Sequence, residues 1–439
     1  MDYTAKEVLQ FVKENDVKFI RLAFCDIFGT LKNVSIMPGE LPRAFSCGIS
    51  IDGSVIRGFM SVERSELFLM PNPATLSVLP WRPAHSGVVR MFCDIKKPDG
   101  SAFEGDSRAV LKRAVAAAAE MGYTCRFGTE CEFYLFQTNE QQMPTMTPFD
   151  RGSYCDVAPL DRGENVRREI CLSLEEMGMF PETSHHEQGP GQNEIDFKYA
   201  DALTAADNLI AFKSAVKSIA AINGLYASFM PKPFPNQSGS GLHVNMSLSR
   251  GGMNLFKEST TGHSAEAESF MAGILHRAVE ITAFANPLTN SYNRFGSFEA
   301  PKYVTWSHQN GSQLIRIPAA DGEYTRMELR SPDTACNPYF TFALLIAAGL
   351  DGIKARLPLP APVDLNLFEL QSVQDKTFAR LPATLEEAVE IAWNSDFIRR
   401  VIPLSALEKY CEAKREEYQT VVNADNPAQA EHDLYFSLI

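Results

Sequence analysis

The segment Phe127-Gly128-Thr129-Glu130-Cys131-Glu132-Phe133-Tyr134-Leu135-Phe136 alternates with a period of two, a pattern that suits a strand and little else. Glu130 and Glu132 point to one face while Cys131, Phe133 and Leu135 point to the other. The two carboxylates are then about 7 Å apart on the same side. An isolated Glu-x-Glu is most often the solvated face of an exposed strand. Here apolar residues flank the pair at both ends, and like charges on a largely buried strand need a cation.

Two further segments repeat the device. Gly241 to Leu248 sets His243, Asn245 and Ser247 against Leu242, Val244, Met246 and Leu248, and Arg326 to Arg330 sets Arg326, Glu328 and Arg330 against Met327 and Leu329. Taken alone, a histidine in such a strand is more often a hydrogen-bonded core residue than a ligand. Ser184 to Glu194, with Gly189-Pro190-Gly191 inside it, is expected as a turn-rich stretch presenting Glu187 and Glu194. Together these carboxylates and one imidazole form an oxygen-rich set that suits Mg²⁺ or Mn²⁺ better than Zn²⁺, which recruits cysteine or more histidine. Arg294, Arg316, Arg326 and Arg330 supply charge-assisted forks for phosphate or carboxylate groups. Metal ions beside arginines make phosphoryl transfer a natural chemistry.

Charge narrows the partners. With a net charge of −13, the chain is repelled by nucleic acid and by anionic membranes, so neither is an expected partner. An anionic substrate must meet cations placed locally. Apolar Tyr339 to Leu350 is too short for a spanning helix, and Met1-Asp2-Tyr3 does not open a signal peptide. Nine cysteines without a Cys-x-x-Cys pair suggest neither a zinc site nor a disulfide framework, and a reducing cytoplasm is expected.

Thr4 and Glu7 form a capping box that predicts an opening helix, and a strand is expected over Val17 to Cys25. Asp26 to Pro98 is rich in glycine, proline and short strand-like runs such as Gly87 to Asp94. At Asp106 or Ser107 a helix is capped, and it stops at Gly122. The boundary is therefore placed there, with a small β-rich domain over residues 1–105 and an α+β domain over 106–439. Helices are expected near Glu164 to Met177, Ala205 to Ile222, Ala265 to Phe284 and Tyr339 to Leu357.

The motifs Gly128-Thr129-Glu130-Cys131-Glu132-Phe133, His186-Glu187 through Gly191-Gln192-Asn193-Glu194, Gly239-Ser240-Gly241-Leu242-His243 and Met327-Glu328-Leu329-Arg330 resemble the signatures of class I glutamine synthetases. Phe229-Met230-Pro231-Lys232-Pro233, Asn290-Ser291-Tyr292, Arg316-Ile317-Pro318 and Asn337-Pro338-Tyr339 extend the resemblance, which runs from Asp52 to the C-terminus. It implies an N-terminal β-grasp domain and a catalytic domain whose antiparallel half-barrel sheet is flanked by helices. It implies ATP-dependent ligation of ammonia to glutamate through γ-glutamyl phosphate, with two or more Mg²⁺ or Mn²⁺ ions.

By the same resemblance, Glu132, Glu187 and Glu194 hold one ion and Glu130, His243 and Glu328 the other. Arg294, Arg330 and the Gly239 backbone match the glutamate site, and Arg316 and Arg326 the phosphate site. Glu182 and Tyr199 match nucleotide contacts. Asp52, Tyr154 and Glu187 resemble the ammonium pocket, which the flap residue Glu299 closes. Asp52 then acts in a neighbouring subunit, within a double hexameric ring. Departures touch the chemistry: Gly311 stands where an arginine is usual, Ser238 where an asparagine is, and Asn245 where a second histidine is. The flap is one residue shorter, Val55 replaces a common serine, and Phe368 occupies the place of a tyrosine that some members adenylylate. Two alternatives stay open, a γ-glutamyl ligase for a small organic amine and a non-catalytic ring protein.

Overall fold

A computed structural model describes residues 3–81, 87–257, 263–370 and 378–439. The capping box acts as the sequence predicts: Thr4 and Glu7 exchange hydrogen bonds at the start of α1 (Ala5–Glu14). Then follow β1 (Phe19–Cys25), β2 (Leu31–Ile36), α2 (Leu41–Cys47), β3 (Ile49–Asp52), β4 (Glu66–Pro71), β5 (Ser77–Val78) and β6 (Val88–Lys96). Their sheet has the order β2-β1-β6-β4-β3, with β5 also on β6, and the β1–β6 pair is parallel. β1 begins two residues later than its apolar run suggests, because Val17 still closes onto the end of α1 through a bond to the Val12 carbonyl.

The second unit comprises α3 (Ser107–Glu120), β7 (Tyr123–Thr138), β8 (Pro144–Pro148), α4 (Glu164–Glu176), β9 (Pro181–His186), β10 (Gln192–Phe197), β11 (Ala200–Asp201), α5 (Ala202–Ile222), β12 (Leu225–Ser228), β13 (Leu242–Arg250) and β14 (Met253–Asn254). It continues with α6 (Ala265–Ala285), β15 (Trp306–His308), β16 (Ile315–Ile317), β17 (Met327–Leu329), α7 (Pro338–Ala355), α8 (Leu385–Asn394), α9 (Asp396–Val401), α10 (Leu404–Val422) and α11 (Pro427–Tyr435). Its sheet runs β15-β16-β17-β13-β7-β10-β9, with β8, β11 and β12 also on β7. The sheet is antiparallel as expected apart from one pair at its edge, β15 and β16, which run parallel. The turn-rich reading of 184–194 is corrected, since β9 and β10 form a hairpin and only its centre turns. Its polar residues resemble a loop because several face a cleft rather than the core.

Cys131, Phe133 and Leu135 are fully buried beneath the sheet among α5 and α7 side chains such as Phe212 and Phe342. Beyond Glu132 the opposite face of β7 turns apolar as well: Tyr134 and Phe136 pack with Met230, Tyr435 and Phe436. Asp106 caps α3 and also accepts from the Ile95 amide, which ties the helix to β6. Arg108 bridges Asp94 and Asp207 at 2.8 Å each, and Tyr339 Oη donates to Asp207 at 2.6 Å. These satisfied buried charges fasten the seam between the two sheets' helices and strands.

Candidate active site

Strand register decides which side chains meet. His243 on β13 pairs with Glu130 on β7, Glu194 on β10 with Glu132, and Arg316 on β16 with Glu328 on β17. Because neighbouring strands share a pleat, paired residues lie on one face. That face lines a cleft of about 730 Å³ containing Glu130, Glu132, Glu187, Glu194 and His243.

Glu328, with no exposed side chain, lies at its floor: Arg330 Nη1 is 2.5 Å and Arg316 Nε 2.8 Å from its carboxylate, and His243 Nδ1 is 3.5 Å away. His243 Nδ1 is also 2.9 Å from Glu130 Oε2. Glu130, His243 and Glu328 thus offer three ligand atoms within one small space, as do Glu132, Glu194 and His243. Glu187 is grouped with His185 and Glu194 rather than with Glu132 directly, so Glu194 is the link between them.

Electrostatics reflect the crowding. Burial pushes the Glu132 carboxyl up to about 7, and it pushes Glu194 well above the usual carboxylate range, with Glu132 and Asp196 adding to the effect. Burial also disfavours charge on Glu130, yet hydrogen bonds from His243 and Asn245 hold it at about 2. Negative groups this dense and this dry lack sufficient protein cations, so the donor set fits divalent ions with oxygen preference.

Gly239 and Gly241 let the backbone pass close to Arg294. A Cβ on Gly239 would lie 2.5 Å from the Pro231 carbonyl, and one on Gly241 2.8 Å from Arg294 Nη2. Arg294 is itself buried and donates to the Ser331 and Pro332 carbonyls. Tyr154 also lines the cleft, its ring edge-on to His185 at 5.2 Å. The flap places Glu299 Oε2 3.3 Å from Arg330 Nη2, with Phe298 and Glu299 both at positive φ and Lys232 Nζ 4.3 Å over the Phe298 ring.

A second lobe, of about 610 Å³, carries Glu182, Tyr199, Asn245 and Arg326 and shares Glu130, Thr183 and Asp196 with the first. Asp52 stands apart. It is exposed at the end of β3, where its Oδ1 accepts from the Ser54 amide and hydroxyl, and it does not line its own chain's cleft.

Residues 16–98 match the family model described as "Glutamine synthetase, beta-Grasp domain", and residues 104–435 match "Glutamine synthetase, catalytic domain". The chain belongs to the glutamine synthetase family. Glutamine synthetase of Clostridium saccharobutylicum is 48% identical over 421 residues, covering 95% of each chain. That of Methanosarcina mazei is 45% identical over 428 residues, 96% of each, and that of Staphylococcus aureus 42% identical over 422 residues, 95% of each. Two solved structures, a GmaS/ADP complex and GmaS without ligand, superpose with a TM-score of 0.86 at 30% identity. They cover 97% of this chain, and 97% and 98% of their own.

Two cleft residues of this glutamine synthetase family member, His185 and Asp196, escape a reading by motif, and the buried Gln192 lies in a motif that gives it no role. His185 faces Glu194 across the hairpin, Asp196 pairs with Glu130, and Gln192 Nε2 donates to Glu132 Oε2 at 2.9 Å. Their common signal is alternation along 181–197, which becomes visible once the hairpin is recognised. All nine cysteines are free thiols, and among the described residues no helix is long and apolar enough to cross a membrane.

Proposed function

We propose that this chain makes glutamine from glutamate and ammonia, spending ATP to activate the side-chain carboxylate as γ-glutamyl phosphate. The observation that carries the reading is the Glu130–His243–Glu328 cluster, half-buried at Glu130 and His243 and buried at Glu328, set against Arg316 and Arg330, beside a lobe sized for a nucleotide. Glu132, Glu187 and Glu194 are assigned to one Mg²⁺ or Mn²⁺ ion, and Glu130, His243 and Glu328 to the other. When bound, such ions neutralise carboxylate and phosphate charge.

The protein's own groups do the rest. Arg294, Arg330 and the Gly239 backbone hold glutamate, while Glu182, Tyr199 and Arg326 hold ATP. Arg316, fixed by Glu328, stabilises the transferring phosphoryl group. The γ-phosphoryl of ATP passes to a glutamate side-chain carboxylate oxygen as its bond to the β,γ-bridging oxygen breaks, and ADP leaves with that oxygen. Ammonia then attacks the acyl carbon and phosphate leaves. Asp52 from a second copy of this chain, with Tyr154 and Glu187, attracts ammonium and takes its proton. Glu299 closes the flap and keeps water from the acyl phosphate. A double hexameric ring supplies that second copy, and the working division is residues 1–105 and 106–439.

The test is ATP-dependent release of phosphate with glutamate and a panel of acceptors. Glutamine formation with ammonia, and at most weak turnover with methylamine and ethylamine, is expected. Turnover confined to the alkylamines would replace this reading with the organic-amine ligase, and no turnover with any acceptor would point to a non-catalytic ring protein.

A further inference from the structure

Asn245 belongs to neither ligand set. It lies on β13, 4% exposed, next to Glu130 and at the junction of the two lobes. Its amide nitrogen donates to Glu130 Oε1 at 2.9 Å, and its carbonyl oxygen accepts from Arg326 Nε at 2.8 Å. A carboxylate only accepts and a guanidinium only donates, so these partners fix which way the amide faces. With Oε1 engaged, Oε2 is the Glu130 oxygen left near His243 and Glu328. A neutral amide suits the position. An acid there would set a second negative charge against Glu130, and a base would repel Arg326.

We infer that Asn245 is a positioning residue that ties the cation-binding carboxylate of Glu130 to the phosphate-side guanidinium of Arg326, setting the two lobes in one register. The inference rests on the function proposed above. It identifies a specific link by which the ion site and the nucleotide site constrain each other. Groups that orient a metal ligand in this manner typically matter about 10-fold to 100-fold in metal affinity.

The test uses the full chain with Asn245→Leu, which removes both hydrogen bonds, and with Asn245→Ala as the smaller variant should leucine disturb folding. Mn²⁺ affinity is measured by calorimetric titration, ADP affinity with Mn²⁺ present, and KM separately for ATP and glutamate. Both variants should weaken Mn²⁺ and ADP by about tenfold while the glutamate KM moves by less than about twofold. At saturating Mn²⁺ and in the background of Arg326→Gln, removing Asn245 should cost little further ADP affinity, because the route left from Asn245 to the nucleotide passes through Arg326. Equal losses for glutamate and ADP, additive losses in the double variant, or unchanged Mn²⁺ and ADP binding would each overturn the inference. If the unaltered protein binds neither Mn²⁺ nor ADP, the reading of the cleft falls first and the inference with it.

Discussion

At the scale of single residues, the raised carboxyls of the cleft dictate a pH response. A carboxyl with a raised folded pKa binds more protons in the native than in the unfolded chain, so its contribution to stability falls as pH rises from about 4.3 through its folded value. Glu132, pushed up by burial to about 7, loses stabilising effect across that window, and Glu194 and His243, also raised, act in the same direction. Glu130, held at about 2, contributes fully above about pH 5 and leaves this slope unchanged. The metal-free protein should therefore melt at lower temperature at pH 7.5 than at pH 5.5. The increment from added Mn²⁺ should grow over the same range, since the ion needs deprotonated ligands. A scanning-fluorimetry profile that stays flat without metal would contradict this. Gly311 allows a second test, because its backbone is not left-handed and a Cβ there meets only Arg330 Nη2, at 3.9 Å. Gly311→Arg should be tolerated and should raise ATP-dependent turnover by about tenfold, a fraction of what a preorganised donor contributes. A native rate already typical of the relatives, with no gain in the variant, would mean that Arg316 and Arg326 supply the charge in full.

Among the elements, the β9–β10 hairpin carries the greatest functional load and was the least legible. His186 is fully enclosed, with Nδ1 2.6 Å from the Glu187 carbonyl and Nε2 2.8 Å from Asp150 Oδ1, and Asp150 also accepts from the Gly191 amide at 2.8 Å. One carboxylate thus pins the hairpin to the loop bearing Tyr154. Asp150→Ala should cost about 1.5–3 kcal/mol of stability, as loss of a charged hydrogen-bond partner does. Mn²⁺ affinity should fall by about tenfold, since Glu187 and Glu194 ride on the same hairpin. Denaturant melts and a Mn²⁺ titration read both, and an unaltered pair of values would remove the hairpin tie from the account. β7, β13 and β17 were readable because each sets apolar residues against polar ones, and α1 and α3 because capping side chains mark their starts. The hairpin was not, since cleft-facing polar residues on a strand look like a loop until their partner strand is known. Nothing local explains why Tyr134 and Phe136 continue the face of Glu132, because what packs against them includes Phe234 and, just past α11, Phe436, so only tertiary packing makes that face apolar.

For the whole molecule, the question is where Asp52 works. In its own chain it is exposed and outside the cleft, and the nearby Val55 and Val62 are 81% and 78% exposed. Beside the cleft, Val157 and Leu160 are exposed too, at 72% and 56%. Apolar surface left bare at two separate places fits a head-to-tail contact, in which one patch of each subunit meets the other patch of the next and repetition closes a ring. Each cleft would then combine Glu328 of one subunit with Asp52 of its neighbour. Asp52→Ala and Glu328→Ala should each abolish glutamine synthesis when present in every subunit, for different reasons: the first removes the carboxylate proposed above to take the ammonium proton, the second the buried anion that fixes Arg316 and Arg330. Dissociating the two inactive proteins, mixing them equally and reassembling them should restore activity. A cleft is whole only when its own subunit carries the Asp52 change and the neighbour carries the Glu328 change, so random mixing predicts about one-quarter of the unaltered activity. If both residues served the same chain's cleft, no hybrid would contain a whole site and activity would stay at the level of the parents. Native mass spectrometry must show mixed rings, and inactivity in rings so verified would place Asp52 outside the chemistry.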